Sequence, residues 1–159
     1  MKPITKKLLY LYLSIVLLKI LLAYFISTPT GFWDEYIYSK VGRSFFYFQN
    51  FNIENNPSPF YPPLYSILIS VSYLAENMKI VYFIFKIINS LLSSLVIIPA
   101  YLISKEFLNE KQQLYVPILI SLLPSNFSFS NYILSENLFF PLFLFSTYYI
   151  YKSVKENTK

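Results

Sequence analysis

Apolar residues in this chain gather into long runs separated by short polar breaks. Four runs, over 8–27, 79–104, 114–128 and 131–151, are long enough, or nearly so, to cross a hydrocarbon layer of ~30 Å as helices. A fifth run, 62–75, is shorter and opens on Pro62-Pro63. Its polar positions Ser66, Ser70, Tyr73 and Asn77 recur at spacings of four, three and four, which predicts an amphipathic helix over 63–77 lying in a membrane interface. Upstream, Ile37, Val41, Phe45 and Phe48 recur at helical spacing from Asp34, which predicts a second interfacial helix over 34–48. Residues 50–59 are rich in Asn and Pro and read as a loop. No internal repeat is visible. The expected fold is a single all-α integral membrane domain over 1–159, with about four transmembrane helices and an outer loop, 28–78, carrying the two interfacial helices.

Composition strengthens that expectation. The chain is 55% hydrophobic, 21% aromatic and only 13% charged, against roughly 25% charged in soluble domains. Thirteen basic residues set the formal charge at +5. Eight of the thirteen, Lys2, Lys6, Lys7, Lys105, Lys111, Lys152, Lys155 and Lys159, lie in the segments that four crossings put inside. A fifth crossing would send the loop with Lys105 and Lys111 to the opposite side from the basic tail. Four crossings with both termini cytoplasmic therefore obey the positive-inside rule better, and the positive charge reads as a topology signal in the cell membrane rather than a nucleic-acid footprint. The first apolar run is longer than a signal-peptide core and lacks a small-residue cleavage site, so it is expected to stay as an anchor.

The chemistry available is narrow. With no Cys and no His, disulfides, thiolate metal sites and imidazole bases are excluded, leaving Asp, Glu, Lys and Tyr. Asp34 and Glu35 form an acidic pair just past the first run, where Asp34 reads as a helix N-cap and Glu35 as its first-turn acid. A carboxylate held there could also orient an incoming hydroxyl or take its proton. Glu136, at the outer start of the last run, is the second candidate acid; four crossings put it on the same face as Asp34. If the two meet, they could share acid and base roles or hold a divalent cation, Mg or Mn. Lys86 begins a polar stripe with Asn89, Ser90 and Ser93, which reads either as helix–helix contact or as a cation facing an outer cavity. Lys19 falls in the middle of the first run, with no evident partner in the sequence. Lys40 and Arg43 read as a solvated helix face or as ligands for an anionic lipid head. Asn126-Phe127-Ser128 matches a glycosylation acceptor, a motif short enough to arise by chance.

Taken in order, these features resemble the GT-C superfamily of membrane glycosyltransferases, nearest to the protein O-mannosyltransferases and the lipid A aminoarabinose transferases. The resemblance rests on Asp34-Glu35 after the first span, Tyr61-Pro62-Pro63-Leu64-Tyr65 opening a juxtamembrane helix, and Lys86-Ile87-Ile88-Asn89 in the next span. The charged turn over 105–111 and Ser135-Glu136-Asn137 complete it. It implies hexosyl or pentosyl transfer from a polyprenyl-phosphate-linked donor to an acceptor on the outer face. Asp34, with Glu35 beside it, would match the catalytic acid and Glu136 the supporting acid, with Arg43, Tyr61, Lys86 and Asn89 as candidate substrate-binding residues. Some members use a divalent metal and others do not. Two positions depart from the pattern. Tyr61 stands where some members carry a basic residue, and Lys86 replaces the usual Arg, exchanging a forked donor for a point charge. Family members have many more spans, so the chain matches only their N-terminal core. It would then act as a fragment or with a partner chain supplying further spans. The alternatives are a non-catalytic membrane subunit or inactive remnant of the same fold, and a transporter fragment with Lys19 and Lys86 on its path.

Overall fold

The structure is a computed structural model that describes residues 3–26, 33–54, 56–58 and 61–157. It is mostly helical. Helix α1 (Pro3–Phe25) opens on a proline and then meets neither Pro nor Gly. Helix α2 (Trp33–Phe48) follows, then a minimal antiparallel hairpin, β1 (Asn52–Ile53) with β2 (Asn56–Pro57), in which Ile53 pairs with Asn56. Helix α3 (Pro63–Ser70) has Pro in its first turn, where the missing N–H costs nothing, and tightens into a 3-10 turn over Val71–Leu74. Helix α4 (Met78–Ser94) is capped by Asn77, whose side chain accepts from Lys79 N at 2.9 Å. A turn at Leu95 and Val96 leads into α5 (Ile97–Phe107). Two short helices, α6 (Tyr115–Ser121) and α7 (Pro124–Phe129), precede the long α8 (Glu136–Asn157).

Among the described residues, two stretches are long and apolar enough to cross a membrane, Ile4–Phe25 and Met78–Phe107. The other two expected spans differ. The run over 114–128 is not one helix; it breaks at Leu122 and Leu123, because Pro124 lacks the N–H that would carry the helix on and instead starts α7. The run over 131–151 starts helically only at Glu136, and the helix continues to Asn157. Its second half carries Ser146, Thr147, several Tyr and Lys152, which dilute its apolar character. The expected helix over 63–77 ends early, and Asn77 belongs to the next helix as its cap. Residues 27–32, the expected end of the first span and start of the outer loop, lie outside the described residues.

Helix α4 packs against both α1 and α8, and α2 packs against α3. The apolar core joins Tyr38 of α2, Tyr65 and Ile69 of α3, Val81 and Phe85 of α4, and Ile133 of the loop before α8. Around it, several polar side chains are buried while several leucines are exposed. Lys19, Asn89, Ser90, Ser93 and Asn137 are buried, whereas Leu13, Leu17 and Leu21 of α1 are half exposed or more. The polar stripe of α3 also faces inward. Ser66 Oγ donates to Tyr38 O at 3.3 Å and Tyr73 OH donates to Ser39 O at 2.7 Å, while Leu64, Val71 and Leu74 are exposed. Lys19 has its partners in the bundle: Nζ donates to Ser93 Oγ at 2.7 Å and to Asn126 Oδ1, and lies 5.6 Å from the centre of the Phe127 ring. The Asn126 of the glycosylation-like motif is therefore spent on an internal contact.

Candidate active site

Asp34 and Glu136 line one cavity of about 410 Å³, together with Trp33, Phe129, Tyr132 and Leu134. Each acid belongs to the first turn of a helix, Asp34 in α2 and Glu136 in α8, where helix N–H groups and dipole favour negative charge. Asp34 lies inside the first turn of α2 rather than at the N-cap before it. Its Oδ1 accepts a hydrogen bond of 2.5 Å from Tyr61 OH. That bond to a carboxylate, reinforced by burial, pushes the Tyr61 phenol up to about 12. Tyr61 therefore remains a neutral donor at physiological pH and holds Asp34 from one side. Among the described residues, no donor reaches Asp34 Oδ2.

Glu35 points elsewhere. It is 2% exposed, and its Oε1 accepts from Ile133 N at 3.0 Å. The carboxylate thus pins the loop that carries Tyr132 and Leu134 into the cavity wall. Tyr38 supports the same loop, donating from OH to Ser135 Oγ at 2.8 Å, and its ring meets those of Tyr61 and Tyr65 edge-on at 5.1 and 5.0 Å. Asn89 also works behind the wall. It accepts from Tyr65 OH at 2.8 Å and donates to Tyr132 O at 2.8 Å. Asn137 donates to the carbonyls of Phe129, Tyr132 and Leu134. The loop before α8 lacks regular secondary structure, so these side chains supply its missing partners.

Two expected substrate ligands lie apart from this cavity. Lys86 Nζ donates to Ala23 O at 3.1 Å and to Ile26 O. It satisfies the C-terminal end of α1, whose last turn has no basic residue of its own. It lines a different cavity, with Tyr24 and Lys79. Arg43 lines another, at the opposite end of α2 from Asp34. The sequence-level candidates that meet are therefore Asp34, Glu136 and Tyr61, with Glu35 and Asn89 bracing the wall. Trp33, Phe129 and Tyr132 are not singled out by the sequence as site residues; Trp33 is an aromatic next to Asp34, while Phe129 and Tyr132 lie in the stretch before Glu136 with no such mark.

A second cavity, of about 630 Å³, shares Phe129 and Glu136 with the lining of the first. Its lining is mainly apolar, with Pro62 and Leu64 on one side and Leu138, Phe139 and Leu142 of α8 on the other. As for a metal, Asp34 and Glu136 are hard oxygen donors of the kind Mg and Mn take. Among the described residues no group of three His, Cys, Asp or Glu could hold an ion. Two carboxylates are fewer oxygen ligands than a closed protein cage for such an ion needs. No family model matches the chain, and no curated protein or solved structure is detectably similar to it.

Proposed function

We propose that the protein is an integral membrane glycosyltransferase that moves a sugar from a polyprenyl-phosphate-linked donor to an acceptor on the outer face. The observation that carries this reading is a pair of cavities with Phe129 and Glu136 in both linings: an acidic cleft with Asp34 and Glu136, and an apolar groove between Pro62, Leu64 and the start of α8. A substrate that is half sugar and half isoprenoid asks for that combination. Membrane insertion is supported by the two long apolar stretches and by the burial of polar residues beneath exposed leucines.

In the reaction, the acceptor oxygen bonds to the anomeric carbon as the bond from that carbon to the phosphate oxygen breaks. Asp34, held through Oδ1 by Tyr61, takes the acceptor proton on Oδ2. Polyprenyl phosphate leaves with the bonding pair. Glu136 lines the same cleft and orients the sugar hydroxyls. The competing reading is a non-catalytic subunit of the same fold, favoured by one observation: Lys86 is engaged by main-chain carbonyls away from the cleft.

The test is incorporation of radiolabel from a polyprenyl-phosphate sugar by membranes carrying wild-type protein or Asp34→Asn. The enzyme reading expects a loss of ~10²–10⁴-fold in the variant, the usual worth of a positioned general base. Equal incorporation removes Asp34 from the chemistry, and no incorporation above protein-free membranes favours the subunit reading.

A further inference from the structure

Helix α2 carries a second polar site at the end away from Asp34. A cavity of about 490 Å³ opens where α2 finishes and the hairpin folds back on it, lined among others by Lys40, Arg43, Asn50 and Glu54. Lys40 and Arg43, three positions apart, share one helix face. The hairpin turn delivers Glu54 to that face. Glu54 adopts φ 51°, a left-handed conformation uncommon for a residue with a side chain. Its Oε1 accepts from Lys40 Nζ at 3.0 Å and from Tyr36 OH at 3.2 Å. Those two bonds, with Lys40 first, hold the Glu54 carboxyl below its ordinary range.

Arg43 is different. It is exposed, its guanidinium lies 5.9 Å from the centre of the Tyr47 ring, and among the described residues no carboxylate pairs with it. Two cations therefore face one acid, and the cavity keeps a net positive charge. Asn50 spends its oxygen on Ser44 Oγ at 2.5 Å and Asn52 N at 3.0 Å. Its NH₂ has no acceptor among the described residues. The rim is apolar and outward-facing: Tyr47 and Phe48 are exposed, and Tyr47 OH reaches Tyr73 O at 3.4 Å, next to exposed Leu74.

We propose that this cavity binds the phosphate headgroup of an anionic membrane lipid, with Arg43 as its principal ligand. A forked guanidinium and amide donors suit a phosphodiester. The exposed aromatic rim suits the acyl–headgroup boundary and would be wasted on a small soluble anion. The assignment rests on the membrane reading and not on sugar transfer.

The full chain, purified in detergent, is incubated with phosphatidylglycerol or phosphatidylcholine, and retained lipid is counted by native mass spectrometry. The expected result is a preference for phosphatidylglycerol that falls roughly fivefold in Arg43→Gln, the size of one cation's attraction to an anionic lipid surface. Arg43 is exposed, so helix content by circular dichroism should stay unchanged in that variant. Asp34→Asn should keep the preference, which separates this site from the transfer reaction. An equal preference in wild type and Arg43→Gln overturns the proposal, as does no preference in the wild type. Displacement of the lipid by an equal concentration of soluble glycerol phosphate also overturns it, in favour of a soluble phosphate ester.

Discussion

Neighbouring residues on a helix point ~100° apart, and at the start of α2 that rotation gives two adjacent carboxylates separate tasks. Asp34 lines the cleft, while Glu35 turns inward to Ile133 N. The consequence is testable at Glu35. Glu35→Gln keeps an acceptor oxygen in the same place and should leave stability within about 1 kcal/mol of wild type. Glu35→Ala strands a buried N–H and should cost ~1–3 kcal/mol, read as a lower midpoint of thermal unfolding in detergent. If Gln and Ala variants unfold together, the bond to Ile133 is not what holds the loop. The acidic pair was legible in the sequence because carboxylates are scarce and their surroundings apolar. The division of labour was not. Glu35 meets Ile133 N 98 positions away, and a main-chain N–H is a partner that no side-chain pattern marks. Lys19 was opaque for a related reason, since Ser93 and Asn126 reach it from two other helices.

Helix α3 is oriented by its polar stripe, which packs on α2 through Ser66 and Tyr73. The close approach depends on Gly42. A Cβ built there would sit 3.1 Å from Ser66 O and 3.4 Å from Ile69 Cγ1. Gly42→Val must therefore push the two helices apart, an overpacking cost of ~1–3 kcal/mol. Tyr61 lies just before α3 and Asp34 on α2, so the same displacement lengthens the bond between them. The variant should lose thermal stability and, on the proposed function, incorporation of labelled sugar together. Full stability in Gly42→Val would mean the interface has slack that the geometry does not suggest. Periodicity revealed the stripe of α3 but not its direction, because a helix with one polar face can turn that face to water or to a protein backbone. The interruption in 114–128 is written in the sequence, because Pro124 stands inside an otherwise apolar run, the usual mark of a helix start or break. The hairpin over 52–57 was hidden in an Asn-rich loop with only two residues per strand.

Across the described residues, many hydrogen-bonded polar side chains lie in the interior while many leucines stand outside. In water this arrangement is costly, since each exposed Leu forgoes ~1.5–3 kcal/mol of burial. In a bilayer the same leucines are solvated by lipid, and Lys19, Asn126 and Ser93 satisfy one another away from it. The absence of Cys from the chain makes this easy to examine, because any introduced thiol is the only one. Trp33→Cys and Leu134→Cys line the acidic cleft, so both should react with a membrane-impermeant maleimide applied to the outer face. Lys111→Cys, in the exposed turn between α5 and α6, should react only after permeabilisation. Labelling of all three without permeabilisation would place the chain in water or reverse the reading of that turn. Protection of the two cleft positions with free labelling of Lys111→Cys would put the cleft on the cytoplasmic side. There the site could still act on a lipid-linked sugar, but its acceptor would have to be a cytoplasmic one.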